Sequence, residues 1–146
     1  MGFSGSVYHQ MDDKNRIRIP NKFIKGGLGD DFIFVAGDQP CISVYTREAF
    51  ALHQEDMARE CHGDPRKLMA MRVLMGGVED DFKTDSQGRI SVSARLRSHI
   101  GVTKDDRDLI TIGMYDHLEI WLVSQFEKYS SGMTFSEAYA ESKFYG

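Results

Sequence analysis

The apolar positions of the chain fall into two matched runs. In Asp12-Asp13-Lys14-Asn15-Arg16-Ile17-Arg18-Ile19-Pro20-Asn21-Lys22-Phe23 an acidic, polar opening gives way to alternation, with Arg16 and Arg18 on one side and Ile17 and Ile19 on the other. About half a chain later the pattern returns as Asp85-Ser86-Gln87-Gly88-Arg89-Ile90-Ser91-Val92-Ser93-Ala94-Arg95-Leu96, with Asp, Arg and the apolar residues in step. Period-two alternation predicts a half-buried strand in each copy, which holds the basic row of the first copy on an exposed face. The segments after each run match as well. Phe32-Ile33-Phe34-Val35 and Ile42-Ser43-Val44-Tyr45 are echoed by Leu109-Ile110-Thr111-Ile112 and Leu118-Glu119-Ile120-Trp121, so two further strands are predicted per copy. The chain therefore carries a strand-rich unit of about forty residues twice.

Between and after these runs the pattern changes to helical. Thr46 is a fitting N-cap for a helix through Phe50, Leu52, Met57 and Ala58 to about Glu60. Gly63-Asp64-Pro65 interrupts it, and Asp64 can cap a second helix that has Pro65 at its first position and ends at Gly76-Gly77. The Leu68, Met69, Met71, Met75 cluster on that helix fits flexible core or subunit packing. Ser124 is placed to cap a short helix over Gln125–Tyr129, and an aromatic tail from Phe135 to Tyr145 predicts another. The boundaries that result are 5–48 for the first repeat, 49–77 for a helical connection, 78–121 for the second repeat and 122–146 for a C-terminal helical segment. Neither half can bury enough apolar surface alone, so the two repeats are expected to share one core.

Asn15 and Gly88 occupy the same repeat position, and both residue types tolerate positive φ, so Lys14-Asn15 and Gln87-Gly88 read as tight turns, each a hairpin tip that carries an Arg. Asp12 and Asp85 open these turns. An Asp there commonly accepts hydrogen bonds from the backbone two residues on, with the following Arg paired to it. Pro20 has no N–H donor and closes the first strand; Ser93 stands in its place in the second. Trp121, Tyr45 and Ile120 continue apolar strands and are assigned to the core.

Composition, with 41% apolar and 27% charged residues among 146, is that of a globular domain and excludes wholesale disorder. The N-terminus lacks the basic and apolar regions of a signal peptide, and no segment is long and apolar enough to span a bilayer, so the expected location is cytoplasmic. Cys41 and Cys61 are too few for a disulfide framework and read as reduced thiols. Cys61-His62 has no second close pair to complete a metal site, and no metal or cofactor is expected. The net charge of −4 argues at first against a polyanionic partner. The charge is polarised, however. Lys14, Arg16, Arg18, Lys22 and Lys25 face only two acidic residues between Asp12 and Lys25, whereas Asp116–Gly146 holds five acidic and two basic residues.

These residues resemble the MraZ family of bacterial transcriptional regulators, whose repeat reads approximately Asp-x-x-Gly-Arg followed by an alternating strand and Pro. The likeness runs through Phe3-Ser4-Gly5, Asp12 to Pro20, Asp85 to Leu96 and Glu119-Ile120-Trp121, nearly the whole chain. The resemblance implies an α+β fold, a tandem-repeat swapped-hairpin (AbrB-like) β-barrel with flanking α-helices. It also implies ring-like homo-oligomers that bind double-stranded DNA at direct repeats in the promoter of the division and cell-wall gene cluster, including the protein's own gene, most simply as a nucleoid-associated repressor. The family's contact Arg falls on Arg16, its neighbouring Lys on Lys14 and the second repeat's Arg on Arg89. Asn15, Arg18 and Lys22 complete the expected DNA-binding set. Two departures are visible: Asn15 stands where the family usually has Gly, and Gln87, Ser91 and Ser93 replace Lys14, Arg18 and Pro20 in the second copy. Repeat one is therefore expected to carry most of the DNA contact.

Two other classes compete. Asp12 and Asp85, one per repeat, could form a shared-proton pair of the aspartic-protease kind, although such enzymes place Gly right after a Ser or Thr that follows the Asp, which Asp12-Asp13-Lys14 and Asp85-Ser86-Gln87 do not. A ring-forming adaptor could instead bind protein through the aromatic tail.

Overall fold

The computed structural model describes residues 2–82 and 84–143. Its elements in order are β1 (Ser6–Gln10), β2 (Arg16–Ile17), α1 (Asn21–Phe23) running into a π-helical turn at Ile24–Leu28, β3 (Phe32–Ala36), β4 (Cys41–Thr46), α2 (Arg47–Cys61), α3 (Pro65–Gly76), β5 (Ile90–Ser91), α4 (Ala94–Ile100), β6 (Asp108–Gly113), β7 (Leu118–Leu122), α5 (Val123–Ser130) and α6 (Phe135–Ser142). The fold is mixed α+β, with a five-stranded antiparallel sheet in the order β1-β6-β7-β4-β3 and a separate two-stranded pair, β2 with β5.

The apolar runs pair as hairpins, β3 with β4 and β6 with β7, and the hairpins join where Ile42 stands opposite Ile120 and Val44 opposite Leu118. The shared core follows from that join. Phe34, Ile42, Val44, Leu109, Leu118 and Ile120 are fully buried on one face of the sheet, together with Ile17, Phe23, Ile90, Leu96 and Ile100 from the segments after the two turns. The alternate strand residues are buried on the other face. Ile33, Val35 and Tyr45 pack with Phe50 of α2, and Ile110 and Trp121 pack with Phe126 of α5. Helices cover the second face, which is why these strands are nearly apolar throughout.

Each repeat lends its leading segment to the other. β1 of the first repeat pairs with β6 of the second, Ser6 opposite Ile112 through Gln10 opposite Asp108. Reciprocally, Glu79 exchanges two backbone hydrogen bonds with Phe34 of β3, at 2.8 and 2.9 Å. The second exchange stops there; Arg47 Nη2 donates to the Asp80 carbonyl at 3.0 Å while its Nε pairs with Asp31 ahead of β3. The laddered sheet consequently remains open and does not close into a barrel.

Several predicted elements take a different form. The alternating strands are only two residues long each and end before Pro20 and Ser93, and the chain after those residues forms α1 and α4, for which the sequence pattern predicts no element. Ser93 explains the change in the second repeat: its Oγ accepts from the Leu96 amide at 3.2 Å as an N-cap. Thr46 and Asp64 cap α2 and α3 as expected. Ser124 does not cap α5, since the helix begins two residues earlier than expected, with Leu122 at its cap, and Ser124 Oγ donates to Asp106 at 2.7 Å. The tail forms α6, capped by Thr134; Phe144 and Tyr145 lie outside the described residues. The methionine-rich α3 buries none of its residues in this chain, and only Met75 joins a core cluster, half-buried against the second face of the sheet.

Candidate nucleic-acid interface

The two Asp-to-Arg turns have the same internal wiring. Asp12 Oδ1 accepts from the amides of Lys14 (3.0 Å) and Arg16 (2.8 Å), and its Oδ2 accepts from Arg16 Nε at 2.8 Å. Asp85 Oδ1 accepts from the amides of Gln87 (2.8 Å) and Arg89 (2.9 Å), and its Oδ2 accepts from Arg89 Nε at 2.7 Å. Asn15 and Gly88 take φ of 64° and 75°, the left-handed conformation that each turn requires. The turn role of the two aspartates is thus a matter of sequence chemistry: a short acceptor side chain, two residues of reach and a position tolerant of positive φ.

The tips do not project singly. Pairing of β2 with β5, Arg16 opposite Ser91 and Ile17 opposite Ile90, sets them against each other. Arg16 Nη1 lies 3.6 Å from Asp85 Oδ2 and Arg89 Nη1 lies 4.0 Å from Asp12 Oδ2, so four charged groups alternate in sign across the junction of the repeats. Arg16 and Arg89 are consequently half-buried and fixed, and do not project freely as a single hairpin tip would let them. Fixing costs side-chain entropy in advance of any contact, which is what preorganisation means for a recognition residue. Arg16 Nη2 donates no hydrogen bond among the described residues.

The arrangement sets the protonation of both carboxyls. The Arg89 and Gln87 amides, with the Arg89 guanidinium, hold Asp85 down at about 2. Partial burial works against the same effect at Asp12, but the Arg16 amide and guanidinium and the Lys14 amide outweigh it and its carboxyl also lies low. A proton-sharing catalytic pair requires one carboxyl to be raised by its neighbour's charge. Here both are lowered, each by its own arginine, and hydrolytic chemistry of that kind is not built into the site.

The other predicted residues divide. Lys14 is exposed at the first tip and has no ion-pair partner among the described residues. Arg18 is exposed beside it and donates to Gln87 Oε1 of the opposite repeat at 3.2 Å. Lys22 is not brought to the turns. Its Nζ lies against Gly5 and 5.6 Å from the Phe23 ring, at the far end of β1, roughly 20 Å along the strand from Asp12. A cleft of about 970 Å³ opens along both turns, lined by Asp12, Arg16, Asp30, Phe32, Gln87 and Arg89 among others.

One residue of the site carries no periodic signal. Arg107, in the loop before β6, donates through Nη2 to the Asp12 carbonyl and to Asn15 Oδ1, both at 2.6 Å, and through Nη1 to the Thr103 carbonyl at 3.1 Å. A lone basic residue in the acidic stretch Asp105-Asp106-Arg107-Asp108, directly ahead of an apolar strand, is the only sequence mark that points to it.

Among the described residues no helix is long and apolar enough to cross a membrane, and no group of three or more His, Cys, Asp and Glu side chains is placed to hold a metal ion. The family described as "MraZ protein, putative antitoxin-like" matches residues 2–71 and 75–143, two copies in tandem. The transcriptional regulator MraZ of Corynebacterium urealyticum is 36% identical over 129 residues, covering 88% of this chain and 87% of that protein. The MraZ regulator of Lachnoclostridium phytofermentans is 32% identical, covering 88% of this chain and 86% of its own length. That of Corynebacterium diphtheriae is 31% identical over 99% of this chain and 97% of its own.

Proposed function

The chain belongs to the MraZ family, and from that premise we propose that it is a DNA-binding transcriptional regulator whose reading head is the junction of its two Asp-to-Arg turns. It is not an enzyme: the relatives are regulators, and both candidate carboxylates are committed to their own turns.

The observation that carries the DNA site is the first turn, where exposed Lys14 and Arg18 flank an Arg16 whose guanidinium is already positioned by Asp12 and Asp85. A fixed guanidinium whose Nη2 makes no hydrogen bond suits an acceptor on guanine or a phosphate oxygen, and the flanking cations supply the salt-sensitive attraction to the backbone. Asn15 shapes the tip, Arg89 gives a weaker contact from the second repeat, and Lys22 joins where the duplex runs on along β1. Gln87 and Ser91 in place of Lys14 and Arg18 keep the second turn subordinate.

The finer architecture is read in the same way. The exchange of leading segments between repeats, β1 onto β6 and Glu79 onto β3, is what a swapped-hairpin AbrB-like arrangement within one chain requires. It favours treating 5–48 and 78–121 as paired halves. Self-association into a ring is supported by α3, which leaves Leu68, Met69, Val73 and Leu74 exposed. A ring reconciles a net charge of −4 with DNA binding, since repeated modest contacts on one duplex combine through effective concentration. The target is the promoter region of the division and cell-wall cluster, the protein's own gene included, at direct repeats, with repression as the outcome and the nucleoid as the location.

The test is fluorescence anisotropy of the protein against the duplex upstream of its own gene and a scrambled duplex, at two salt concentrations. Selective binding that weakens steeply with salt supports the regulator. Equal, weak binding to both duplexes would shift the reading to a protein-binding adaptor.

A further inference from the structure

The two turns are alike in sequence and in their Asp–Arg wiring, yet they are not equally held. Asn15 is fixed at three points. Its amide donates to the Asp12 carbonyl at 3.1 Å, its carbonyl accepts from the Val92 amide at 2.9 Å, and its side-chain oxygen accepts from Arg107 Nη2 at 2.6 Å. Gly88, its counterpart, has no side chain to hold, and a Cβ placed there would meet nothing within 4 Å. Counting back two residues from the matched strand residues Leu109 and Phe32, the place of Arg107 is taken in the first repeat by Asp30, which lines the open cleft beside Gln87 and Gly88. The cleft borders both turns, but only the first has a guanidinium strut behind its tip.

That strut is built for holding and not for contact. Arg107 is half-buried, and its donors go to the Asp12 and Thr103 carbonyls and to Asn15 Oδ1. Its Nε is buried without a hydrogen-bond partner, the one such side-chain atom among the described residues. Burying an unpaired donor is costly, and it is tolerated where the same side chain makes other strong, charge-assisted bonds. The Arg107 carbonyl also accepts from the Met11 amide at 3.0 Å, so backbone and side chain of one residue clamp both ends of the Met11–Asn15 segment to the second repeat.

We propose that Arg107 is a positioning residue for DNA recognition: it locks the Lys14–Asn15–Arg16 turn through the Asp12 carbonyl and Asn15, and so makes the first repeat the dominant reader. The proposal rests on the regulator reading and adds a residue from the opposite repeat that touches no DNA. Rigidity at the tip lowers the ordering cost of specific binding but leaves the electrostatic term alone.

The experiment compares wild type, Arg107→Ala, Asn15→Gly and the double variant against the upstream and scrambled duplexes over a range of salt, with amide hydrogen exchange read at Asn15 and Val92. The expected result for Arg107→Ala is an upstream-duplex Kd raised about ten-fold, with an unchanged salt slope, unchanged scrambled-duplex affinity and faster exchange at both amides. Asn15→Gly keeps the turn conformation and removes the acceptor, so it should act in the same direction, with the double variant no worse than Arg107→Ala. Wild-type affinity and wild-type exchange in Arg107→Ala would overturn the proposal, and so would a salt slope reduced by about one, which marks a direct phosphate contact. Loss of selectivity in the wild type itself would sink the regulator reading separately, while the exchange rates still decide whether Arg107 holds the turn.

Discussion

Arg16 and Asp85 belong to different repeats, yet Arg16 Nη1 lies 3.6 Å from Asp85 Oδ2, and Arg89 and Asp12 repeat the relationship at 4.0 Å. Each aspartate thus serves its own turn and steadies the other's arginine. The junction of the two turns is a joint property of both halves of the chain.

If the crossed pairs matter, damage to the second repeat should reach the first. Asp85→Ala is expected to lower the thermal midpoint by a few degrees and to weaken binding to the upstream duplex, although Asp85 is an anion and opposes DNA directly. A gain in affinity from losing a negative charge would show that simple electrostatics outweighs positioning. Calorimetry and anisotropy on the same preparation decide between them.

The same groups predict acid behaviour. Asp85 is held at about 2, against an ordinary value near 3.8, so its contribution is fully present above pH ~4 and is lost as pH falls through ~2; Asp12 shifts in the same direction. In Asp85→Asn the stability curve should flatten in that window and stay parallel to wild type above it. Urea midpoints measured between pH 2 and 5 report this, and an unchanged acid limb would contradict the ion-pair account.

A second window belongs to His9 on β1. Burial lowers its value from 6.5 to about 4 while its Nε2 sits 2.6 Å from Thr111 Oγ1. A depressed histidine costs stability as pH falls, starting at the unfolded value near 6.5 and ending near 4. At pH ~5.5 the loss is about 1 kcal/mol. His117 runs the other way: burial opposes charging, but Glu119 and Asp116 outweigh it and raise its value, so its support is present below ~6.5 and fades as pH rises through the folded value. His9→Gln should remove most of the drop between pH 7 and 5.5 at fixed protein concentration. A drop equal to wild type would place the titration elsewhere.

The exposed face of α3 gives an assembly prediction. Val73 is 70% exposed and Met69 56%, on a helix with no fully buried residue in its own chain. Val73→Asp is expected to shift sedimentation velocity toward the monomer with helix content retained. An unchanged assembly would remove α3 from the interface.

Much of this was legible in the chain. The paired apolar runs predicted β3, β4, β6 and β7, and the residue chemistry of Thr46, Asp64 and the two Asp-to-Arg turns predicted their hydrogen bonds. The failures have local causes. Alternation from Ile90 predicts a strand closed at Ser93, but only Ile90–Ser91 pairs, and α4, which has no periodic signal of its own, begins at Ala94 with Ser93 as its N-cap and Leu96 and Ile100 packed into the core. Arg107 was invisible because its partners, a carbonyl 95 positions away and Asn15 Oδ1, depend on β1 crossing to β6. Lys22 looked like part of the basic row because sequence distance hides that α1 carries it back to the start of β1.

The central claim is tested most directly by comparing Arg16→Ala with Arg89→Ala on the upstream duplex. The two arginines have matching structural bonds, so each is the other's control for damage to the fold. The account predicts similar losses of thermal stability, with selective binding abolished in Arg16→Ala and weakened only several-fold in Arg89→Ala. Equal effects of the two substitutions on DNA, or selective binding that survives in Arg16→Ala, would contradict it.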